Sequence, residues 1–338
     1  MLLPPMPPSE GSTFGTTSVP TFGTTGWVTA LSAGAEDAGA AGVWVCDHLF
    51  WPRPATECLT TLSVAASVTR RVTLGSCVLQ LPLRSPAAVA KQAAALQALS
   101  GGRFVLGVGV GSHHREYELA GVPFHTRGRG LDVGVAALRA AWRSGTARDG
   151  YRLAPASPVP VWVGGSSQAA LRRAAATGDG WIPLFISPEQ YDAALVQLRE
   201  LASDRGREAR DVAPAVVMVT CVGDDASRAR AEGTAWLSHL YGIPPKAFER
   251  HLVAGPAEHC AAMAAAYVDA GAVHVVVMAA SDDALGQFGA VAAAYDRLGL
   301  GVRERPGTPA QRRGAETTGG VTGNPSGEPA SEMAEVSA

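Results

Sequence analysis

The fold of this chain is decided by two stretches, Val43-Trp44-Val45-Cys46-Asp47-His48 and Phe104-Val105-Leu106-Gly107-Val108-Gly109-Val110-Gly111. In each, a nearly continuous apolar run indicates a strand that is covered on both faces, and the run ends in polar or glycine residues. Such strands alternate with helices in α/β enzymes, where ligands bind at the carboxyl ends of the strands. The sequence therefore predicts that Asp47, His48 and the glycine loop Gly107–Gly111 lie on one face of an α/β fold.

The alternation of strand and helix patterns continues along the chain. Pro86 suits a first helical position, and Gly101-Gly102 ends the helix that it opens. Eight strand-helix units in about 285 residues favour a single (β/α)₈ TIM barrel, with a doubly wound open sheet as the alternative. The predicted strands lie near Thr16–Pro20, Gly42–Cys46, Val72–Leu79, Phe104–Val108, Val159–Val163, Gly180–Pro183, Ala215–Val222 and Val273–Met278.

Composition excludes several classes of function. The formal net charge is −2 and 17% of the 338 residues are charged, so the chain offers no basic surface for nucleic acid or for an anionic membrane. No apolar stretch reaches the roughly 18 residues that a membrane span needs, and the first residues lack the pattern of a signal peptide. The five cysteines are scattered without a CxxC pair, which is typical of a reduced, cytoplasmic protein.

The two ends of the chain differ from its middle. Residues 1–12 are rich in Pro and Ser, and we expect a flexible N-terminal segment there. Residues 304–338 are rich in Gly, Pro, Thr, Glu and Ser and lack aromatic side chains. They cannot bury enough apolar surface to offset the entropy of ordering, so we expect a disordered tail. Residues 13–303 are expected to form the barrel.

Asp47-His48 is the sharpest chemical feature. Histidine can move protons near neutral pH, and an adjacent carboxylate can bias its tautomer or its charge. A histidine that only caps the strand end or bonds a loop is the alternative. Trp51 could form the wall of a site for a ring-shaped ligand, or it could serve packing alone.

Two glycine-rich turns could hold a ligand. Gly107–Gly111 permits close backbone approach, although it would also suit a tight strand-helix turn. Gly164-Gly165-Ser166-Ser167 opens a helix, and amides at a helix start suit a phosphate, whereas a plain serine N-cap is the alternative. His113-His114 lacks the spacing of metal ligands, so no metal site is predicted. The absence of a GxSxG motif gives no support to a catalytic triad.

Together these segments resemble the luciferase-like monooxygenase superfamily, whose members are (β/α)₈ barrels that bind FMN or the deazaflavin coenzyme F-420. The resemblance covers roughly Gly26 to Leu298. Ser100-Gly101-Gly102-Arg103, the GVGVG loop and GGSS are more similar to the F-420-dependent branch. The matching segments are Gly42–His48, Arg71–Leu79, Ser85-Pro86 with Lys91-Gln92, Leu99–Phe104, Gly107–Gly111, Gly121–Phe124 with Arg127-Gly128, Pro160–Gly165 and Gly178–Trp181.

The resemblance implies roles for the matching residues. It implicates His48 in proton transfer or in stabilising the deazaflavin ring. It also places a bulge with a non-proline cis peptide, Cys77-Val78, against that ring. The residues that it implies in cofactor binding are Asp47, Cys77, Val78, Gln80, Gly109, Gly111, Arg115, Gly164, Gly165 and Ser166. Of these, Arg115 could supply a basic exit for the charged tail of coenzyme F-420.

The chain departs from its relatives directly after the glycine loop. Relatives that oxidise sugar phosphates carry Glu where this chain has Ser112, and the nearest carboxylate here is Glu116. Their Trp aligns with Pro52, one place after Trp51. These departures argue against the sugar-phosphate reaction.

The expected activity is therefore hydride transfer between coenzyme F-420 and a small organic substrate by a cytoplasmic enzyme, and the family resemblance suggests a homodimer. One alternative is an FMN-dependent luciferase-like monooxygenase that uses a separate flavin reductase. The other is a cofactor-binding barrel without catalysis, which gains weight from Ser112.

Overall fold

Ten parallel strands and ten α-helices are present in the part of the chain that the computed structural model describes, namely residues 1–3, 24–51, 55–144, 152–153 and 157–299. The strands are β1 (Leu2–Leu3), β2 (Gly42–Val45), β3 (Thr73–Ser76), β4 (Leu79–Gln80), β5 (Phe104–Gly109), β6 (Val161–Gly164), β7 (Gly180–Ile182), β8 (Ala213–Val222), β9 (Leu252–Gly255) and β10 (His274–Ala279). The helices are α1 (Thr25–Asp37), α2 (Cys58–Val68), α3 (Pro86–Leu99), α4 (His114–Leu119), α5 (Arg127–Ser144), α6 (Gln168–Thr177), α7 (Pro188–Ser203), α8 (Ala226–Tyr241), α9 (Ala257–Asp269) and α10 (Ala284–Arg297).

Eight strands follow one another around the barrel in the order β1-β2-β3-β5-β6-β7-β8-β10, each hydrogen-bonded to the next. The other two add short parallel ladders, β4 to β5 and β9 to β8. Every crossover between neighbours on this path passes through a helix, as parallel pairing requires. The predicted (β/α)₈ TIM barrel is confirmed. None of the described helices is long and apolar enough to cross a membrane.

The helix boundaries follow from the signals in the sequence. The Ser85 hydroxyl accepts a hydrogen bond from the Ala88 N–H, and Pro86 occupies the first turn of α3. After α3, Gly101 and Gly102 adopt left-handed φ values of 69° and 85°, which side chains disfavour. The prediction for this helix is confirmed.

Two tryptophans are the largest side chains of one buried cluster of the barrel, in which they pack with residues such as Val105, Val217 and Val276. The ring centroids of Trp44 and Trp162 lie 5.0 Å apart. A Cβ atom at Gly75 would lie 2.1 Å from the Trp44 ring, and one at Gly180 would lie 2.6 Å from the Trp162 ring. These two glycines therefore make the space that the indoles occupy, and the interior is a packed core rather than a channel.

The strand prediction differs from the structure in three places, of which one is β9 (Leu252–Gly255), a strand that was not predicted. The first described strand is Leu2–Leu3, inside the segment that was expected to be flexible, because its backbone pairs with Trp44 and Val45 of β2. The predicted strand Thr16–Pro20 and the predicted tail 304–338 lie outside the described residues. The run Val72–Leu79 forms two strands instead of one, since the chain bends between β3 and β4 at Cys77-Val78.

Candidate active site

A cavity of about 320 Å³ lies at the carboxyl ends of the barrel strands. This is the location at which (β/α)₈ barrels bind their ligands. Seven of the predicted site residues line it, namely His48, Cys77, Val78, Gly109, Gly111, Gly164 and Gly165. His48 and residues of both glycine-rich turns therefore meet at one cavity.

Two glycines beside this cavity are needed for the packing of the protein, whether or not a ligand binds. Cys77-Val78 is a non-proline cis peptide, as the family resemblance implied. A Cβ atom at Gly109 would lie 2.5 Å from the Val78 side chain, and one at Gly164 would lie 2.7 Å from it. Glycine at both positions admits the bulge that carries Val78. The sequence-based interpretation, in which the glycines serve the approach of a ligand, is therefore incomplete.

Glu116 is the central residue of the polar side of the site. It lies on α4, four positions after Ser112, and its side chain is fully buried. One carboxylate oxygen accepts hydrogen bonds from the Leu49 and Phe50 N–H groups at 2.8 and 3.1 Å. The other lies 3.1 Å from His48 Nδ1 and accepts from Gln80 Nε2 at 3.1 Å. A carboxylate thus reaches His48 from a position that the sequence comparison did not anticipate.

The charge of Glu116 determines the tautomer of His48. Burial alone raises the pKa of Glu116, but the hydrogen bonds from His48 and Gln80 outweigh it, and the pKa is lowered from its ordinary value. An ionised carboxylate can only accept hydrogen bonds. His48 Nδ1 must therefore be the donor, which leaves Nε2 as the ring nitrogen that can exchange a proton with a ligand in the cavity.

Asp47 does not line the cavity, contrary to the cofactor-binding prediction. Its buried carboxylate accepts hydrogen bonds from Arg84 Nη2 at 2.5 Å and from the Gln80 N–H at 3.0 Å. Burial raises the pKa of Asp47, while the Arg84 and Gln80 donors oppose that shift. Its oxygens face these donors, and Asp47 is not among the residues that line the cavity.

Three further residues from the cofactor-binding prediction also lie outside the cavity lining. Gln80 is buried, and its side-chain amide bridges the Asp47 carbonyl and Glu116. Arg115 is exposed and forms an ion pair with Glu118 on the same helix. Ser166 is exposed, and the hydroxyl that caps α6 belongs to Ser167. We refer to Arg84, Asp47, Gln80, Glu116 and His48 as the polar wall.

A group of aromatic side chains packs beside His48 and around Tyr241, which lines the cavity. The His48 ring stacks on Trp51 with centroids 3.7 Å apart, and Trp51 Nε1 donates to the Leu240 carbonyl at 3.1 Å. Tyr241, the last residue of α8, meets the Trp51 ring edge-on at 5.9 Å. Tyr241 also contacts Phe185 and Phe248. We refer to Tyr241, Phe185 and Phe248 as the aromatic wall.

The two cysteines of the lining are not nucleophiles. Burial raises the pKa of Cys46 to about 12 and that of Cys77 to about 12. Both are therefore thiols at neutral pH, whereas nucleophilic attack requires the thiolate. No group of three or more metal-ligating side chains occurs among the described residues. The chemistry of the protein side of the site therefore centres on His48.

The sequence reasoning missed most of the apolar lining. Three of the missed residues could have been found from the sequence. Cys46, Val110 and Ser112 adjoin predicted site residues at the end of β2 and in the glycine loop. The others come from later strands and from α8, where nothing in the sequence distinguishes a cavity residue from a core residue. The missed residues are Cys46, Val110, Ser112, Ile182, Leu184, Val217, Leu240, Tyr241 and Met278.

Comparison with known proteins agrees with this architecture. An uncharacterised protein of Mycobacterium tuberculosis is 32% identical over 211 residues, which cover 52% of this chain and 72% of that protein. A phthiodiolone/phenolphthiodiolone dimycocerosates ketoreductase of the same species is 30% identical over 216 residues, covering 57% of this chain and 55% of the ketoreductase.

A solved structure with the same fold is an F-420-dependent secondary alcohol dehydrogenase in complex with an F-420–acetone adduct. It superimposes with a TM-score of 0.69 at 19% identity, over 80% of this chain and 95% of the dehydrogenase. The family model described as luciferase-like monooxygenase matches residues 13–242. The chain therefore belongs to the luciferase-like monooxygenase family.

Proposed function

We propose that this protein transfers a hydride between coenzyme F-420 and a small organic substrate. The observation that carries the proposal is the contact between the His48 imidazole, which lines the cavity, and the buried, ionised Glu116. A hydride transfer to or from an oxygen-bearing carbon needs a group that gives or takes one proton. His48 with a fixed tautomer meets this need, and we propose it as the catalytic residue.

The cavity fits a deazaflavin or a flavin. Its volume of about 320 Å³ lies at the lower end of the range for ligand sites. Val78, Gly109 and Gly111 would lie against the ring system. Gly164 and Gly165 precede α6, and we propose that their amides would hold the phosphate of the cofactor side chain. When bound, the cofactor supplies or accepts the hydride.

The side chains of the protein would carry the proton, exclude water and bind the substrate. Glu116 holds Nδ1 of His48, so that Nε2 can donate a proton to the substrate in one direction and accept it in the other. The stacked Trp51 covers one face of the imidazole and limits the access of water to it. The side chains of Ile182, Leu184 and Met278 provide an apolar surface for the substrate body.

The choice of coenzyme F-420 over FMN is the finer part of the proposal. It is supported by the similarity of Ser100-Gly101-Gly102-Arg103, the glycine loop and Asp47-His48 to the F-420-dependent branch. The solved dehydrogenase with the same fold carries an F-420 adduct. Arg115 does not add support, because it is paired with Glu118 away from the cavity.

Competition binding tests the cofactor. Purified protein is titrated with coenzyme F-420 and with FMN, and binding is followed by absorbance at moderate salt. We expect tighter binding of coenzyme F-420. Tighter binding of FMN would overturn the choice and favour the monooxygenase alternative. Binding of neither would favour a barrel that has lost catalysis.

A matched pair of glycine variants tests the phosphate site. Gly165 and Gly39 both have left-handed φ values, 108° and 81°, but only Gly165 lines the cavity. Gly165→Val should weaken cofactor binding about tenfold, or roughly 1.4 kcal/mol. Gly39→Val carries a comparable backbone strain and should leave the affinity unchanged. Equal affinities in the two variants would remove Gly165 from the site.

We also infer a cytoplasmic homodimer. The inference rests on the family resemblance and on the composition of the chain. Light scattering of the purified protein measures its mass in solution, and a monomer at micromolar concentration would contradict the dimer.

A further inference from the structure

Tyr241 carries an unused hydrogen-bonding group at the cavity. The residue lines the cavity, yet its hydroxyl has no hydrogen-bond partner among the residues that the structure describes. Tyr241 is only partly buried, so its hydroxyl is open to a molecule that occupies the cavity. On the polar wall, by contrast, the carboxylates have several donors each. Besides the His48 ring, the hydroxyl of Tyr241 is therefore a polar group of the lining that can bind a ligand.

The ring of Tyr241 is held from several sides. The Phe248 ring lies 5.5 Å from it and the Phe185 ring 6.5 Å, centroid to centroid. Phe185 adopts a φ of 58°, the only left-handed φ of a non-glycine residue in the described part of the chain. Bulky residues rarely accept this conformation, and such residues cluster at functional sites. The aromatic wall thus fixes the direction of the hydroxyl.

Trp51 couples this hydroxyl to His48. One face of the indole stacks on His48, while Tyr241 approaches the same indole edge-on. The bond from Trp51 Nε1 to the Leu240 carbonyl ties the end of α8 to the loop that follows β2. His48 and Tyr241 are therefore held in a fixed relation, one as a proton carrier and one as a neutral donor.

The charge of the cavity restricts the substrate. None of the described residues that line it is Lys, Arg, Asp or Glu, and five of them are Ile182, Leu184, Val217, Leu240 and Met278. A substrate with a carboxylate or a phosphate beside the reacting centre would lose its hydration without gaining an ionic partner. The lining therefore favours a neutral substrate with an apolar body.

We propose that the Tyr241 hydroxyl donates a hydrogen bond to the reacting oxygen of the substrate, and that this substrate is a neutral ketone or the corresponding secondary alcohol. The assignment rests on the proposed function. Tyr241 keeps its proton throughout, because burial raises the pKa of its phenol. His48 remains the residue that moves a proton, and Tyr241 fixes the oxygen beside it.

Ketone binding without turnover tests the assignment. Oxidised cofactor cannot reduce a ketone, so calorimetry on protein loaded with oxidised coenzyme F-420 measures binding alone. The probe is cyclohexanone, with levulinate as the charged ketone. Tyr241→Phe should weaken cyclohexanone binding about tenfold. Wild-type protein should bind cyclohexanone more tightly than levulinate.

Tyr191→Phe is the matched control. The Tyr191 hydroxyl likewise has no described partner, but it is buried, its ring stacks on Trp181 in the core, and it does not line the cavity. This variant should bind both ketones as the wild type does. Equal cyclohexanone affinity in Tyr241→Phe and wild type would overturn the role of Tyr241. Preferred binding of levulinate would overturn the neutral substrate.

The same titration on protein without cofactor separates this inference from the proposed function. If coenzyme F-420 does not bind, the proposed function fails. A loss of ketone affinity in Tyr241→Phe, relative to wild type and to Tyr191→Phe, would still support the contact in that case. If coenzyme F-420 binds and is turned over with a ketone, but Tyr241→Phe leaves affinity and kcat/KM unchanged, only the inference on Tyr241 fails.

Discussion

The polar wall and the aromatic wall each reach the cavity through one residue, His48 and Tyr241 respectively, and they treat their polar groups differently. On the polar wall, Glu116 accepts four hydrogen bonds or close polar contacts, and Asp47 is held by Arg84 and Gln80. On the aromatic wall, ring packing replaces hydrogen bonds, and the Tyr241 hydroxyl is left without a described partner. The difference indicates that one wall uses its polar groups to hold His48, while the other keeps a polar group for the substrate.

Of the substitutions considered, loss of Arg84 should lower the free energy of unfolding most. Arg84→Met would leave the buried Asp47 carboxylate with the Gln80 N–H as its remaining described donor. Removing one partner of a buried ion pair costs about 3–5 kcal/mol. Urea unfolding should show a loss of this size, and Arg84→Lys should recover part of it.

The control for Arg84 is Arg139→Met. Arg139 pairs with Asp179, and both side chains are substantially more exposed than the Arg84–Asp47 pair. Surface pairs contribute about 0–1 kcal/mol. Equal losses of unfolding free energy in the two variants would show that the buried Arg84–Asp47 pair stabilises the protein no more than the exposed pair does.

Loss of His48 should separate catalysis from folding. His48→Ala is expected to lower turnover about 100-fold or more, equivalent to roughly 2.7 kcal/mol, because the proton has no other carrier in the described lining. The melting temperature should change little. His114→Ala, which alters an exposed histidine on α4, should leave turnover unchanged. Wild-type turnover in His48→Ala would remove the assigned role.

The Glu116 carboxylate should be needed for the tautomer of His48. Glu116→Gln retains the shape of the side chain but cannot accept hydrogen bonds with both terminal atoms. We expect kcat to fall about tenfold, roughly 1.4 kcal/mol, with cofactor affinity nearly unchanged. Glu118→Gln, two residues along the same helix and exposed, is the control and should have wild-type kcat.

Glu116→Gln should also change the pH dependence of stability. The pKa of Glu116 is lower in the folded protein than its ordinary value of 4.5. Its ionised form therefore stabilises the fold above pH 4.5, and this contribution is lost as pH falls through the folded pKa. The difference in unfolding free energy between wild type and Glu116→Gln should shrink below pH 4.5. A difference that stays constant there would contradict an ionised Glu116.

The smallest effect is expected on the aromatic wall. Tyr241→Phe removes a hydroxyl without a described partner, so the free energy of unfolding should stay within about 0.5 kcal/mol of wild type or rise. Tyr267→Phe removes a hydroxyl that donates to the Ile186 carbonyl and should cost about 1 kcal/mol. A larger loss in Tyr241→Phe than in Tyr267→Phe would show that the Tyr241 hydroxyl has a structural partner.

The sequence by itself determined the barrel and one side of the site. Apolar strands that end in Asp47-His48 and in the glycine loop have a local signature, because burial on both faces and backbone geometry act on neighbouring residues. The family resemblance added the cis peptide at Cys77-Val78, which the structure contains. The same local reasoning merged β3 and β4 into one strand and missed β9. It also missed β1, whose pairing with β2 spans about 40 residues of chain.

Only the tertiary structure decided which polar residue serves which purpose. Asp47 adjoins His48 in sequence but turns to Arg84, whereas Glu116, 68 positions from His48, reaches its Nδ1. Tyr241 joins the cavity from the end of α8, far along the chain. Hydrogen bonds and ring contacts of this kind depend on which side chains the closed barrel brings together. No spacing in the sequence encodes these contacts, because they form only between side chains that the closed barrel brings together.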